Sequence, residues 1–194
     1  MFGNWFTVLL VLICVFANPC FSLRFLGDRE TFAKFPKWDA CINASIAFEF
    51  RTRQNDGLLM YTDDNGKYDY LQLAVTEGAI RLWINFVREK EQSVEIELGR
   101  NLNDGNWHRV EVKRNRMETT LLVDNNQSSK VSFGSDFSFG DRLETNNYMY
   151  FGGVPGNYRQ NLARLNIPAN VLNSPFQGEI RNILYFNCSC LPVR

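Results

Sequence analysis

From Ser45 onward the apolar residues recur at every second position, with mostly polar or small residues between them. Ile46, Phe48 and Phe50 alternate with Ala47, Glu49 and Arg51, and Leu71, Leu73 and Val75 with Gln72 and Ala74. Ile80, Leu82, Ile84 and Phe86 alternate with Arg81, Trp83 and Asn85. Val94, Ile96 and Leu98 against Glu95 and Glu97 repeat the pattern, as do Val110 and Val112 against Arg109, Glu111 and Lys113. Successive side chains of a strand point to opposite faces, so this period predicts half-buried strands. A slip of one residue would carry charge into the core, so the register is strongly specified.

Turn dipeptides separate the runs: Asp56-Gly57, Asn65-Gly66, Glu77-Gly78, Asp104-Gly105 and Asp124-Asn125. Gly takes positive φ without a Cβ clash, and Asp and Asn bond their own backbone. Asp104-Gly105 feeds directly into a run led by Trp107 and carrying Val110 and Val112. Short strands at this spacing predict an all-β fold, a sandwich or a barrel. Arg159 to Val171 has some helical spacing, but Pro168 interrupts it, so a long loop is expected there.

No Asp, Glu, Lys or Arg precedes Arg24, and Phe6 to Ala17 is apolar. That run is shorter than the roughly 20 residues a membrane helix needs. Pro19 ends it, and Cys20-Phe21-Ser22 presents small residues at a cleavage position. Residues 1–22 therefore read as a secretory signal with Leu23 as the mature N-terminus; an uncleaved anchor or a buried first strand is the other reading. Residues 23–187 make one domain and 188–194 a short tail. A net charge of +0 provides no global field toward nucleic acid or anionic lipid.

In a secreted chain, Asn43, Asn126 and Asn187 each head a glycosylation triplet. Cys41, Cys188 and Cys190 remain after removal of Cys14 and Cys20 with the signal. One bridge, from Cys41 to Cys188 or Cys190, and one free or intermolecular thiol is the natural count.

Little in the sequence supports catalysis. His108 is the only histidine, and no Gly-x-Ser-x-Gly elbow or glycine-rich phosphate loop accompanies it. Glu95 and Glu97 share one strand face, the spacing of a carboxylate pair but also of an ordinary solvated face. Lys113, Arg114 and Arg116 form a basic run, either a sulfated-glycan patch of lectin type or a solvated turn. Trp83 opposes its strand's core stripe, as a loop-covered side chain or as a binding anchor.

Six segments, in order, carry a family resemblance: Gly57-Leu58-Leu59-Met60-Tyr61, Asp69-Tyr70-Leu71-Gln72-Leu73, Asn103 to His108, Val123-Asp124, Tyr150-Phe151-Gly152-Gly153-Val154-Pro155, and Pro175 to Arg181. Together they resemble the laminin G, or LNS, domain. With Leu23-Arg24-Phe25 and Phe35 to Cys41, the chain is similar to the first LNS domain of an alpha-neurexin. The resemblance implies a two-sheet antiparallel, jelly-roll-like sandwich of the concanavalin kind. It implies a noncatalytic adhesion module that binds protein ligands at the cell surface of a synapse.

It also implies a calcium ion at one rim. Asp69 would give a carboxylate oxygen, Phe86 its backbone carbonyl, and the loop holding Arg142 and Glu144 the remaining oxygens. Such a site with few charged ligands is expected to be weak, with Kd about 10⁻⁴ to 10⁻³ M. Asp69 also reads as an ordinary turn aspartate, and Asp63 and Asp64 as a solvated turn. Two departures from the family stand out. The chain stops at Arg194 with no further LNS or EGF-like module or transmembrane helix, as a truncated or short secreted form would, and Pro175 to Leu184 lacks a cysteine that many relatives carry.

Overall fold

A computed structural model describes residues 21–38, 40, 43–63, 70–85, 93–132, 148–156 and 174–186, with the backbone of 192–193. The strands are β1 (Ser22–Leu26), β2 (Ala33–Pro36), β3 (Asn43–Thr52), β4 (Gly57–Asp63), β5 (Tyr70–Thr76), β6 (Ala79–Asn85) and β7 (Val94–Leu98). They continue with β8 (His108–Asn115), β9 (Glu118–Val123), β10 (Asn126–Val131), β11 (Tyr148–Phe151), β12 (Gln177–Phe186) and β13 (Pro192–Val193). One sheet runs β1-β12-β3-β8-β9-β10, with β13 added to β12, and the other runs β2-β11-β4-β5-β6-β7. Pairing between these strands is antiparallel throughout, giving the expected all-β, two-sheet architecture. Pro192 and Val193, in the segment expected to be a tail, pair with Phe186 and Tyr185.

The core between the sheets is built from the predicted stripes. Ile46, Phe48, Phe50, Leu71, Leu73, Val75, Ile80, Leu82, Ile84, Val94, Ile96, Val110 and Val112 all join it. Phe25, Phe176 and Phe151 add aromatic area, with Phe25 edge-on to Phe176 at 6.0 Å and Phe48 edge-on to Phe151 at 5.2 Å. Trp38 is fully buried and its Nε1 donates to the Phe186 carbonyl at 3.1 Å, so its polar edge is satisfied.

The two outer faces differ, and this corrects the half-buried reading of β5. On the first sheet the outward residues form cross-strand ion pairs, Arg51 with Glu179 at 2.8 Å and Arg181 with Glu49 at 2.6 Å. On the second sheet every residue of β4 and β5 is buried. Leu58, Tyr61, Tyr70, Ala74, Tyr150 and Val154 make a second apolar cluster there. A register shift between Leu58 and Met60 explains how β4 serves both sides: Leu59 and Met60 enter the main core while Leu58 and Tyr61 turn outward.

The turn dipeptides behave as their chemistry dictates. Glu77 and Gly78 both take positive φ, 50° and 74°, in the two-residue link from Thr76 to Ala79. Asp124 takes φ 51° between Val123 and Asn126. Asn65-Gly66 and the segment Arg159 to Val171 lie outside the described residues.

Candidate functional site

The proposed calcium ligands Asp69, Phe86, Arg142 and Glu144 all lie outside the described residues, as do Asp64, Asn187 and the three cysteines Cys41, Cys188 and Cys190. The described part of that rim is informative. Tyr70, which follows Asp69 in the chain, pairs with Asn85, which precedes Phe86. Asp63, at the end of β4, pairs with Tyr70. The structure corrects the solvated-turn reading of Asp63: it is fully buried, and its carboxylate accepts the Tyr61 hydroxyl at 3.2 Å. Burial pushes the Tyr70 phenol up to about 12, with the Glu95 charge adding to it. The Tyr150 phenol is also raised, by burial and then by Asp63. Among the described residues no group of three or more His, Cys, Asp or Glu converges to hold a metal ion.

The basic run does not form one surface. Lys113 is exposed on β8, where Nζ lies 3.5 Å from Glu111, and Arg116 is exposed in the following turn. Arg114 alternates inward and is 1% exposed, so its guanidinium is not presented to an outside ligand. Its Nη1 donates to Thr119 Oγ1 at 2.6 Å and its Nη2 to the Arg116 carbonyl at 2.8 Å. Burial lowers its pKa to about 10, so it keeps its charge at neutral pH. Arg116 adopts φ 54° in a two-residue turn that no turn dipeptide announced, and Arg114 braces it from beneath.

His108 is a structural side chain gripped on both nitrogens. Nδ1 lies 2.9 Å from Asp124 Oδ2 and Nε2 lies 3.1 Å from Asp104 Oδ1, while the ring packs on Phe50 at 5.7 Å. Neutral imidazole has one N–H, so both contacts are hydrogen bonds only in the imidazolium. Burial opposes that charge, but the bonds to Asp124 and Asp104 outweigh it and raise the His108 pKa above 6.5. Asp104 is held down to about 2 by the Asn106 backbone N–H, the Asn106 side chain and His108.

The folded-state pKa of His108 lies above its unfolded value, so its stabilisation is complete below pH 6.5 and lost as pH rises through the folded value. Thermal melts of wild type are expected to fall as pH rises above 6.5, and His108→Gln to flatten that slope. Parallel slopes would refute the assignment.

The other candidates resolve into packing. Glu97 and Glu95 both pair with Arg81, at 2.7 and 3.4 Å, so they are a charged strand face. Trp83 is half-buried against the second apolar cluster. Asn43 and Asn126 are exposed at the starts of β3 and β10. Trp107 stands outside the core, in phase with the outward Arg109 and Glu111, with Arg181 3.9 Å and Arg51 4.8 Å from its ring centre. That parity was the available signal: 107 is out of step with Val110 and Val112.

A family model for the laminin G domain matches residues 50–187. Neurexin 1 of Drosophila melanogaster is 39% identical over 159 residues, 82% of this chain and 8% of that protein. Neurexin-3a of Danio rerio is 29% identical over 176 residues, 90% of this chain and 10% of that protein. The chain thus spans a tenth or less of the length of these curated relatives. Among solved structures, mouse laminin alpha1 chain domains LG4-5 superpose with a TM-score of 0.71, at 20% identity, over 84% of this chain and 41% of theirs. That likeness carries the fold.

Proposed function

The chain belongs to the laminin G domain family, whose members are noncatalytic extracellular recognition modules, and we propose that it acts as a neurexin-like adhesion domain binding protein ligands at the synaptic cell surface. The observation that carries this reading is the match to a neurexin over 82% of the chain, together with the sandwich that presents its loops at the rims. The leading segment, residues 1–22, is read as the secretory signal that delivers residues 23–187, and Asn43 and Asn126 as exposed glycan acceptors.

Ligand binding centres on the rim where β5 begins and β6 ends, with calcium held by Asp69, the Phe86 carbonyl and the Glu144 loop. The ion would supply a fixed positive charge to which a partner's oxygens bind. The chain's part is to bring the ends of β5 and β6 together, which the Tyr70 to Asn85 pairing supports.

Calcium that binds only the folded state must stabilise it by mass action. At about tenfold over a millimolar Kd the gain is roughly 1.4 kcal/mol, or about 3–6 °C. We expect that rise in wild type and its absence in Asp69→Ala. A wild-type melt indifferent to calcium at that concentration would remove the metal from this reading and leave adhesion to direct protein contacts.

A further inference from the structure

Arg51, one of the two arginines over the Trp107 ring, lines a cavity of about 610 Å³ on the outer face of the first sheet. Its floor is the end of β12 at Gln177, Gly178 and Glu179, and its walls come from β1 and from the end of β3. Cross-strand register sets the charges. Arg24 on β1 and Arg51 on β3 both pair with Glu179 in the ladder, and Arg53 follows beyond Thr52. Glu179 is engaged by Arg51 at 2.8 Å. Among the described residues neither Arg24 nor Arg53 has an ion-pair partner, so three guanidinia face one carboxylate and the cavity is net positive in a chain of zero net charge.

Gly105 lets Arg53 take this position. Its φ is 86°, its N–H donates to the Thr52 carbonyl at 2.9 Å, and a Cβ there would lie 3.0 Å from the Arg53 guanidinium carbon. The Asp104-Gly105 turn thus seats an arginine as well as starting β8.

We propose that this cavity docks an acidic segment of a protein partner, a carboxylate entering between Arg24 and Arg53 with an aliphatic neighbour lying on Leu26. Arginine's planar fork matches a carboxylate bidentately. Leu26 lines the same cavity and is 61% exposed, providing apolar surface next to the charge.

The remaining polar groups disfavour a neutral saccharide, because the neutral side chains here are already used within the protein, and the apolar surface of Leu26 favours peptide over an acidic one. Gln54 Oε1 accepts the Gln177 N–H at 2.8 Å, Gln54 Nε2 donates to the Pro175 carbonyl at 3.2 Å, and Thr52 Oγ1 donates to the Gln177 carbonyl at 2.6 Å. The ring of Trp107, the obvious stacking platform for a sugar, is engaged by Arg51 and Arg181.

This inference rests on the chain's being a protein-recognition module, but it concerns a surface that needs no metal. The test is fluorescence anisotropy of the whole chain in EDTA with a short labelled peptide alternating glutamate and leucine. The glutamine-leucine peptide serves as the neutral control and a heparin tetrasaccharide as the glycan competitor. We expect binding of the acidic peptide, weakened about tenfold for each arginine removed in Arg24→Gln and Arg53→Gln. Lys113→Gln should bind as wild type, and Leu26→Asp should weaken binding independently.

Both arginines are exposed, so circular dichroism should show all variants folded. The proposal is overturned if the Arg24→Gln, Arg53→Gln double variant binds as wild type, if the neutral peptide binds equally well, or if the tetrasaccharide displaces the acidic peptide from this pocket. Calcium-dependent partner binding retained by the double variant would leave the rim reading intact even then.

Discussion

Gly152→Ala is expected to lower the thermal midpoint by roughly 10 °C, corresponding to about 2–5 kcal/mol in a domain of this size. Two costs combine. Gly152 has φ 79°, a left-handed conformation that costs a residue with a Cβ about 1–2 kcal/mol. A Cβ there would also fall within the ring of Phe25, which is 3% exposed and packed edge-on to Phe176. The ring cannot step aside without disturbing the core, so an overpacking penalty of about 1–3 kcal/mol adds to the first.

The position is tied down in the backbone as well. The Gly152 N–H donates to the Leu59 carbonyl at 3.1 Å, and its own carbonyl accepts the Phe176 N–H at 2.9 Å. Because Phe25 lies in β1 of one sheet and Gly152 directly follows β11 of the other, the substitution strains the sandwich between its layers. Thermal unfolding of the variant measures this directly, and a midpoint within about 2 °C of wild type would mean that the ring relaxes into free space.

Arg114→Ala should cost about 2–4 kcal/mol, the largest effect of any change in the basic run. It removes the donors to Thr119 Oγ1 and to the Arg116 carbonyl and leaves a void beneath a turn whose Arg116 is already left-handed. Arg114→Lys should recover little, since one ammonium does not reproduce two divergent N–H groups. Lys113→Ala, on the exposed face, should shift stability by no more than about 0.5 kcal/mol. Equal, small losses at Arg114 and Lys113 would show that the buried guanidinium is dispensable.

These two residues mark how far the chain could be read by eye. Alternation located the stripes of β3, β5, β6, β7 and β8, because a core face tolerates no charge and a strand has only two faces. Arg114 continues the inward parity of Val110 and Val112, but its charge grouped it with Lys113 and Arg116 as a surface run. Local sequence does not report that a buried hydroxyl and a strained turn carbonyl wait for two donors there. Trp107 reads along the chain only as the leader of its strand, while its parity places it outside with Arg109 and Glu111.

What the sequence by itself determined is the all-β class, the strand register, the turns at Glu77-Gly78 and Asp104-Gly105, and the family. Each of these depends on neighbours along the chain, where period, φ preference and motif order act directly. Only the tertiary structure decided which strands became neighbours across a sheet, and the rest followed from that. It brought Arg24, Arg51 and Arg53 together around Glu179 from segments far apart in the chain, closed His108 between Asp104 and Asp124, and buried both faces of β5. The physical reason is that hydrogen-bonded strand pairing is long-range: it fixes distances between residues whose order along the chain carries no record of their contact.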